Sequence, residues 1–265
     1  MNAVVKREIE AQVVNRLGRV FERHEKRPRE IFTSGIREID QALGGWPRGA
    51  ITEIHGPASS GRTSLMLATL AAATSSEETC AVIDVSDTFD LLSATKAGVN
   101  FDRLLWVRCG NNLERAFKAT DLLLHGGGFG LVTLSLADMP ARVLRRIIST
   151  WWFRFRRAIE NTPTVLLVMT PIACTRSCGA MALELKCEGV EWPGTGLLIV
   201  AAEQPAPIPA ERSAKHLSLV IADGRATNHP VVPNHAHFLR ASTIRVNRER
   251  PTGWSNLVRF TPSLA

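Results

Sequence analysis

The spacing Gly56-x-x-x-x-Gly61-Arg62-Thr63 is that of a loop built to cradle phosphate groups. Gly56 and Gly61 let backbone N–H groups turn inward, while Ser59, Ser60 and Ser64 add hydroxyls. The Thr63 hydroxyl is placed to meet a magnesium ion. Arg62 stands where such a loop carries lysine. A lysine ammonium is a compact point charge that fits between two phosphates, whereas a guanidinium is a wider planar fork. The alternative is a Gly/Ser-rich turn with no phosphate role. The strand-like run at 51–54 before the loop and the helical pattern at 64–73 after it favour a phosphate loop by ancestry.

A second chemical signal lies at 141–160. Six arginines, Arg142, Arg145, Arg146, Arg154, Arg156 and Arg157, precede the first acid, Glu160. Read as one helix at about 100° per residue, the segment gathers Leu144, Ile148, Trp151, Phe155 and Ile159 on one face, with Ile147 and Trp152 at its edges. The arginines spread over the opposite face, and Phe153 falls in their midst. Three readings stay open: a solvated charged face, a protein interface anchored on the ring, and a stacking platform for single-stranded DNA.

The elements that position these residues alternate. Strand-like apolar runs at 51–54, 81–85, 104–108, 131–136 and 165–170 are separated by helical patterns at 64–73, 88–97, 112–124 and 141–160. That order predicts an α/β fold with a mostly parallel sheet covered on both faces. Upstream, Val5, Ile9, Val13, Leu17 and Phe21 mark an amphipathic helix over 4–27, suited to packing on its own core or gripping a partner. Ile36, Ile39 and Leu43 form a short helix closed by Gly44 and Gly45. After about 180 the pattern changes. Residues 183–187 and 197–201 read as a hairpin, 217–221 and 242–246 as further strands, and the last dozen residues as a loose tail. The domain expectation is an N-terminal helix and linker over 1–32, a core over 33–202 and a partly β C-terminal extension over 203–265.

Composition narrows the class. The chain has 265 residues, 45% apolar and 22% charged, enough to build a core without disulfides. Its net charge of +7 leans toward an acidic partner. Five scattered cysteines and the lack of a secretory core at the N-terminus fit reduced thiols in a cytoplasmic protein. No run approaches the roughly 18 apolar residues of a membrane span, so no membrane partner is expected. Cys174, Cys178 and Cys187 lack the second well-spaced pair of a zinc centre, and the loop histidines His229, His235 and His237, though their spacing could suit a metal, read as solvated loop residues. No metal site and no catalytic triad are expected.

The run from Thr33 to Leu70, TSGIREIDQALGGWPRGAITEIHGPASSGRTSLMLATL, resembles the RecA recombinase family. The likeness continues through CAVIDVSDTFD, AGVNFDRLLWV, LVTLSLAD and TVLLVMTPI, to about residue 190. The resemblance implies a RecA-like phosphate-loop domain. It also places Ser86 where the family has its water-activating glutamate, Ser135 where it has the magnesium-orienting aspartate, and Pro171 where it has the glutamine that senses the γ-phosphate. A serine hydroxyl is a poor base and supplies no charge to a cation. Asp138 lies three residues beyond Ser135, past the strand end. The expected reading is a degenerate ATPase that requires no cofactor and retains at most weak ATP or magnesium binding.

A short basic RecA-like chain with degraded nucleotide motifs is similar to the ImuA family, accessory proteins of bacterial mutagenic translesion synthesis. That resemblance implies a non-catalytic adaptor in DNA-damage tolerance and the SOS response. Its expected partners are a Y-family-like polymerase subunit (ImuB-like), RecA itself and, through the arginine-rich helix, single-stranded DNA. It also implies a bacterial, nucleoid-associated location. The rival expectation is an active DNA-dependent ATPase of the RecA type.

Overall fold

The structure, a computed structural model, describes residues 30–191, 241–251 and 254–260. All of these except Glu30 belong to one compact unit. The amphipathic segment at 4–27 and the expected strands at 197–201 and 217–221 lie outside the described residues.

A short hairpin, β1 (Ile31–Phe32) with β2 (Trp46–Pro47), encloses helix α1 (Arg37–Leu43). Gly44 ends α1 in the left-handed conformation, its N–H donating to the Asp40 carbonyl. The chain then alternates as expected. It runs through β3 (Ala50–His55), α2 (Arg62–Ser75), β4 (Cys80–Asp84) and α3 (Leu91–Lys96). It continues through β5 (Leu104–Arg108), α4 (Leu113–Gly126) and β6 (Leu131–Ser135). Side-chain caps set two helix starts: Asp90 accepts from the N–H groups of Leu92 and Ser93, and Asn112 from that of Arg115.

The remaining strands are β7 (Val165–Thr170), β8 (Met181–Glu191), β9 (Ala241–Arg250) and β10 (Trp254–Phe260). All eight strands from β3 onward form one sheet in the order β10-β9-β8-β3-β7-β6-β4-β5. Neighbours from β8 to β5 run parallel, and β9 and β10 add antiparallel. The fold is therefore α/β with a mostly parallel central sheet and a β extension at its C-terminal side. Strands β3, β4, β6 and β7 are buried along their whole length, as parallel strands covered on both faces must be. One core packs Leu65, Met66 and Leu70 of α2 against Ile54, Val82 and Leu167. The other, on the opposite face, packs Phe117 of α4 with Trp152 and Phe155 against Ile51, Ile83 and Val168.

The arginine-rich segment is not one helix. It divides into α5 (Ala141–Leu144) and α6 (Ser149–Ile159), joined through Arg145–Ile148, where Ile148 is extended at φ −71°, ψ 136° and 61% exposed. Ile147 and Trp152, expected at the edges of the apolar face, are both buried, and Trp152 is wholly so. On a single helical wheel these two residues would stand about 140° apart, at 100° per residue. The break turns both toward the core and gives up Ile148. Trp152 meets Phe117 and Phe155 edge-on, with ring centroids 5.4 and 5.9 Å apart, and this trio sets the register of α6.

The last dozen residues also differ from expectation. Residues 254–260 pair with β9 from Trp254↔Arg248 to Phe260↔Ser242, and Val258 is fully buried. They form the second arm of an antiparallel hairpin with β9, and that pairing rather than local periodicity orders them. Residues 183–187 lie within β8, whose described neighbours are β3 and β9; the expected partner at 197–201 lies outside the described residues.

Candidate phosphate site

The loop leaves β3 at Gly56, whose N–H donates to the Thr170 carbonyl at 3.3 Å, tying it to the end of β7. A Cβ at Gly56 would stand 2.2 Å from the Leu185 carbonyl oxygen, so the close approach to β8 demands glycine. Ser59 and Gly61 both adopt positive φ, 59° and 89°, and turn the loop back toward the start of α2. No side chain caps α2, and its first closing bond is from the Leu65 N–H to the Gly61 carbonyl. The N–H groups of Arg62, Thr63 and Ser64 therefore have no intrahelical acceptor.

Beside this turn lies a cavity of about 270 Å³, whose polar lining is Ser59, Arg62, Thr63, Thr88, Ser135 and Asp138. Arg62 is only 7% exposed. Its Nη1 donates to the Ala137 carbonyl at 3.3 Å, its one acceptor among the described residues. Burial pushes the guanidinium pKa down, and the charge of exposed Asp138 opposes that shift. Ser135, the last residue of β6, is 6% exposed and sits level with Asp84 at the end of β4. One Asp84 carboxylate oxygen accepts from the Phe89 N–H at 2.8 Å; the other is buried without a partner.

The structure thus brings Ser59, Arg62, Thr63 and Ser135 to one cavity. Ser60 is buried, its hydroxyl unpartnered among the described residues, while Ser64 is exposed. Ser86 and Pro171 follow the ends of β4 and β7, half-buried, and neither lines the cavity. Among the described residues the cavity carries one carboxylate, Asp138 at its exposed rim, and one guanidinium, Arg62.

The arginine-rich surface is likewise sorted. Arg142, Arg145, Arg146, Arg156 and Arg157 are exposed and make no ion pair among the described residues. Phe153, 52% exposed, stands among them on α6. Arg154 is instead committed to α4, its Nε and Nη2 donating to the two oxygens of Asp121 at 2.5 and 2.6 Å. This pairing raises the Arg154 pKa. Arg176, which carried no sequence signal, donates from Nη1 to Ser149 Oγ at 3.1 Å and joins the loop after β7 to α6.

Sequence reasoning also missed Glu53. This fully buried carboxylate accepts from the Cys174 N–H at 2.6 Å, the Thr175 hydroxyl at 2.5 Å and the Thr175 N–H at 3.2 Å. Arg250 Nη2 approaches it at 3.6 Å. The available clue was an acid inside the strand-like run at 51–54. Nearby, His55 Nε2 lies 2.9 Å from Glu249, a second tie between β3 and β9. Burial, reinforced by Glu53, pushes the Cys174 thiol pKa up, and no group of metal-ligating side chains exists among the described residues.

A phosphate-loop turn between a buried parallel strand and an uncapped helix, in this sheet order, defines an α/β domain of the phosphate-loop class. Within that class the chain belongs to the RecA N-terminal domain family, whose model matches residues 3–143. It is similar to the RecA protein of Deinococcus radiodurans, 41% identical over 116 residues, covering 43% of this chain and 32% of that relative. It is also similar to the RecA protein of Ectopseudomonas oleovorans, 38% identical over 107 residues, covering 40% of this chain and 30% of the relative. The match spans about a third of the length of these relatives. No helix among the described residues is long and apolar enough to cross a membrane.

Proposed function

We propose that the chain is a RecA-like accessory protein that does not turn over nucleotide and acts as an adaptor in DNA-damage tolerance. The observation that carries this reading is the meeting of Arg62 and Ser135 on one cavity, both more than nine-tenths buried. Phosphoryl transfer is almost entirely positioning and charge stabilisation around a metal-bound phosphate. Here the strand-end position level with Asp84 holds a neutral hydroxyl, and the loop cation is a fork drawn toward Ala137. The activating base is missing as well, because the residue after β4 and Val85 is Ser86.

An adaptor needs surfaces rather than turnover. Arg142, Arg145, Arg146, Arg156 and Arg157 around Phe153 supply one, with an anchor ring and guanidinium groups that make no ion pair among the described residues. The partners proposed are a Y-family-like polymerase subunit, RecA and single-stranded DNA, in translesion synthesis of the ImuA kind. The test is a hydrolysis assay on the purified full chain with and without single-stranded DNA, beside a pull-down with the polymerase subunit. Capture of the subunit without ATP turnover supports the adaptor; DNA-stimulated turnover supports a RecA-type ATPase instead.

A further inference from the structure

We infer that the face of α6 centred on Phe153 docks an acidic segment of a partner protein, one in which a large apolar side chain is flanked by carboxylates. This rests on the adaptor reading and deepens it by naming the chemistry of the partner.

Charge on this side of the fold is one-signed. Between Met139 and Leu183 the sequence holds seven arginines and one acid, Glu160. Arg154 is spent on Asp121. The other six, Arg142, Arg145, Arg146, Arg156, Arg157 and Arg176, are exposed and make no ion pair among the described residues. Ser149, Phe153, Arg156 and Arg157 stand at i, i+4, i+7 and i+8 of α6 and so share one face. The 3-10 turn Arg176–Cys178 meets the start of this face, where Arg176 Nη1 donates to Ser149 Oγ at 3.1 Å. Burial raises the Cys178 thiol pKa, and the charges of Arg156 and Arg250 oppose that shift, so Arg156 too lies near the turn. The Phe153 ring, 52% exposed, therefore has one guanidinium a helical turn before it and two a turn after it.

Two features favour a protein segment over a nucleic-acid strand. A single strand follows a positively charged groove lined by aromatic side chains, on which successive bases stack. Here the surface is the convex side of a helix, and Phe153 is its one exposed ring. Trp151 is half-buried and stacked on Phe117, with ring centroids 5.4 Å and planes 24° apart, and Trp152 is wholly buried. The other exposed large apolar side chain on this segment, Ile148, has no π face to offer a base. It suits contact with an apolar side chain instead.

The arginines set the charge of that partner. A guanidinium fork holds both oxygens of one carboxylate, and Arg154 already makes this bond within the chain, to Asp121. An acidic segment presents the same group to the forks left without one. A ring among arginines is also the composition of an interface hot spot. Carboxylates around a large apolar residue satisfy the forks and the ring together.

The test is panning of the immobilised full chain against a random peptide library, with the Phe153→Ala chain panned in parallel. Peptides kept by the parent and lost by the variant should be rich in aspartate and glutamate around a leucine, phenylalanine or tryptophan. In fluorescence anisotropy Phe153→Ala should weaken such a peptide about tenfold or more, as loss of a hot-spot side chain does. The double variant Arg156→Glu, Arg157→Glu should weaken it at least as much, because like charges then meet across the contact. Circular dichroism checks that both variants fold, and oligo-dT should bind the parent more weakly than the peptide does. The inference is overturned if the retained peptides carry no acidic bias, or if either folded variant binds as the parent does. It is equally overturned if oligo-dT binds more tightly than the peptide, or if sedimentation shows a dimer that Phe153→Ala dissolves, which would assign the face to a second copy. ATP turnover by the same preparation separates the two claims: turnover overturns the proposed function, whereas background turnover without capture of an acidic peptide overturns this inference alone.

Discussion

Ile244 of β9 lies directly on Gly61 of the phosphate loop, so that a Cβ added at Gly61 would fall 1.8 Å from Ile244 Cδ1. The C-terminal strands are therefore not an appendage but the roof over the loop. Gly61→Ala meets both this clash and a φ of 89°, which L side chains rarely adopt. It should cost about 1–3 kcal/mol in chemical denaturation, the range for overpacking. Ile244→Ala alone should cost about 2–5 kcal/mol, and the double variant should cost clearly less than the sum, because the cavity of one relieves the clash of the other. Strict additivity would mean that β9 does not sit on the loop.

Glu53 is the second tie between distant segments, joining β3 to the loop after β7 and to Arg250. Glu53→Ala leaves two N–H groups and a hydroxyl without their acceptor and removes the carboxylate that Arg250 approaches, while Arg250 keeps its bond to the Gly179 carbonyl. Breaking a buried ion pair from one side costs about 3–5 kcal/mol, and a urea midpoint should report a loss of that order. Thr175→Val, which removes one donor, should cost about 1–3 kcal/mol as the carboxylate loses a charged hydrogen bond. A Glu53→Ala protein as stable as the parent would contradict the latch.

Trp152 and Phe153 are neighbours with opposite fates, one wholly buried and the other 52% exposed. Trp152→Ala should cost about 3–5 kcal/mol of stability. Phe153→Ala should change stability by less than about 1 kcal/mol. The same Phe153→Ala protein should bind its partner about 1–3 kcal/mol more weakly, whether the ring anchors a polymerase subunit or stacks on DNA. A steep linear fall of log affinity with log salt would mark the DNA case. Normal binding to both partners would return the surface to a solvated face.

The cysteines should differ in reactivity. Burial, with the charge of Glu78, pushes the Cys80 thiol up to about 12, and burial raises Cys109, Cys174 and Cys178 too. A raised pKa leaves little thiolate near pH 8. Cys187, only half-buried, should be alkylated first by iodoacetamide under native conditions, as peptide mass mapping would show. Early labelling of Cys80 or Cys174 would contradict the packing around them.

The parallel core was legible because each of its strands is an apolar run bounded by helical periodicity. β5 and β7 fall at 104–108 and 165–170, where the pattern put them. The glycine loop was legible from spacing alone, and the cavity unites four of its expected residues, Ser59, Arg62, Thr63 and Ser135. What escaped depends on pairings and packing contacts that local periodicity does not reveal. The break at Ile148 follows from Trp152 packing on Phe117, the strand at 254–260 from pairing with β9, and Glu53's role from a loop some 120 residues away. Arg176 was invisible because it acts through one bond to Ser149, formed only when the loop after β7 folds back on α6.

The most direct measurement of the central claim is ATP hydrolysis by the purified full chain, with and without single-stranded DNA, beside a Thr63→Ala control. With Ser135 at the end of β6 and Arg62 bonded to Ala137, phosphate release should stay at background in every condition and be unchanged by the control substitution. DNA-stimulated turnover that disappears in Thr63→Ala would show a working ATPase and contradict the adaptor reading.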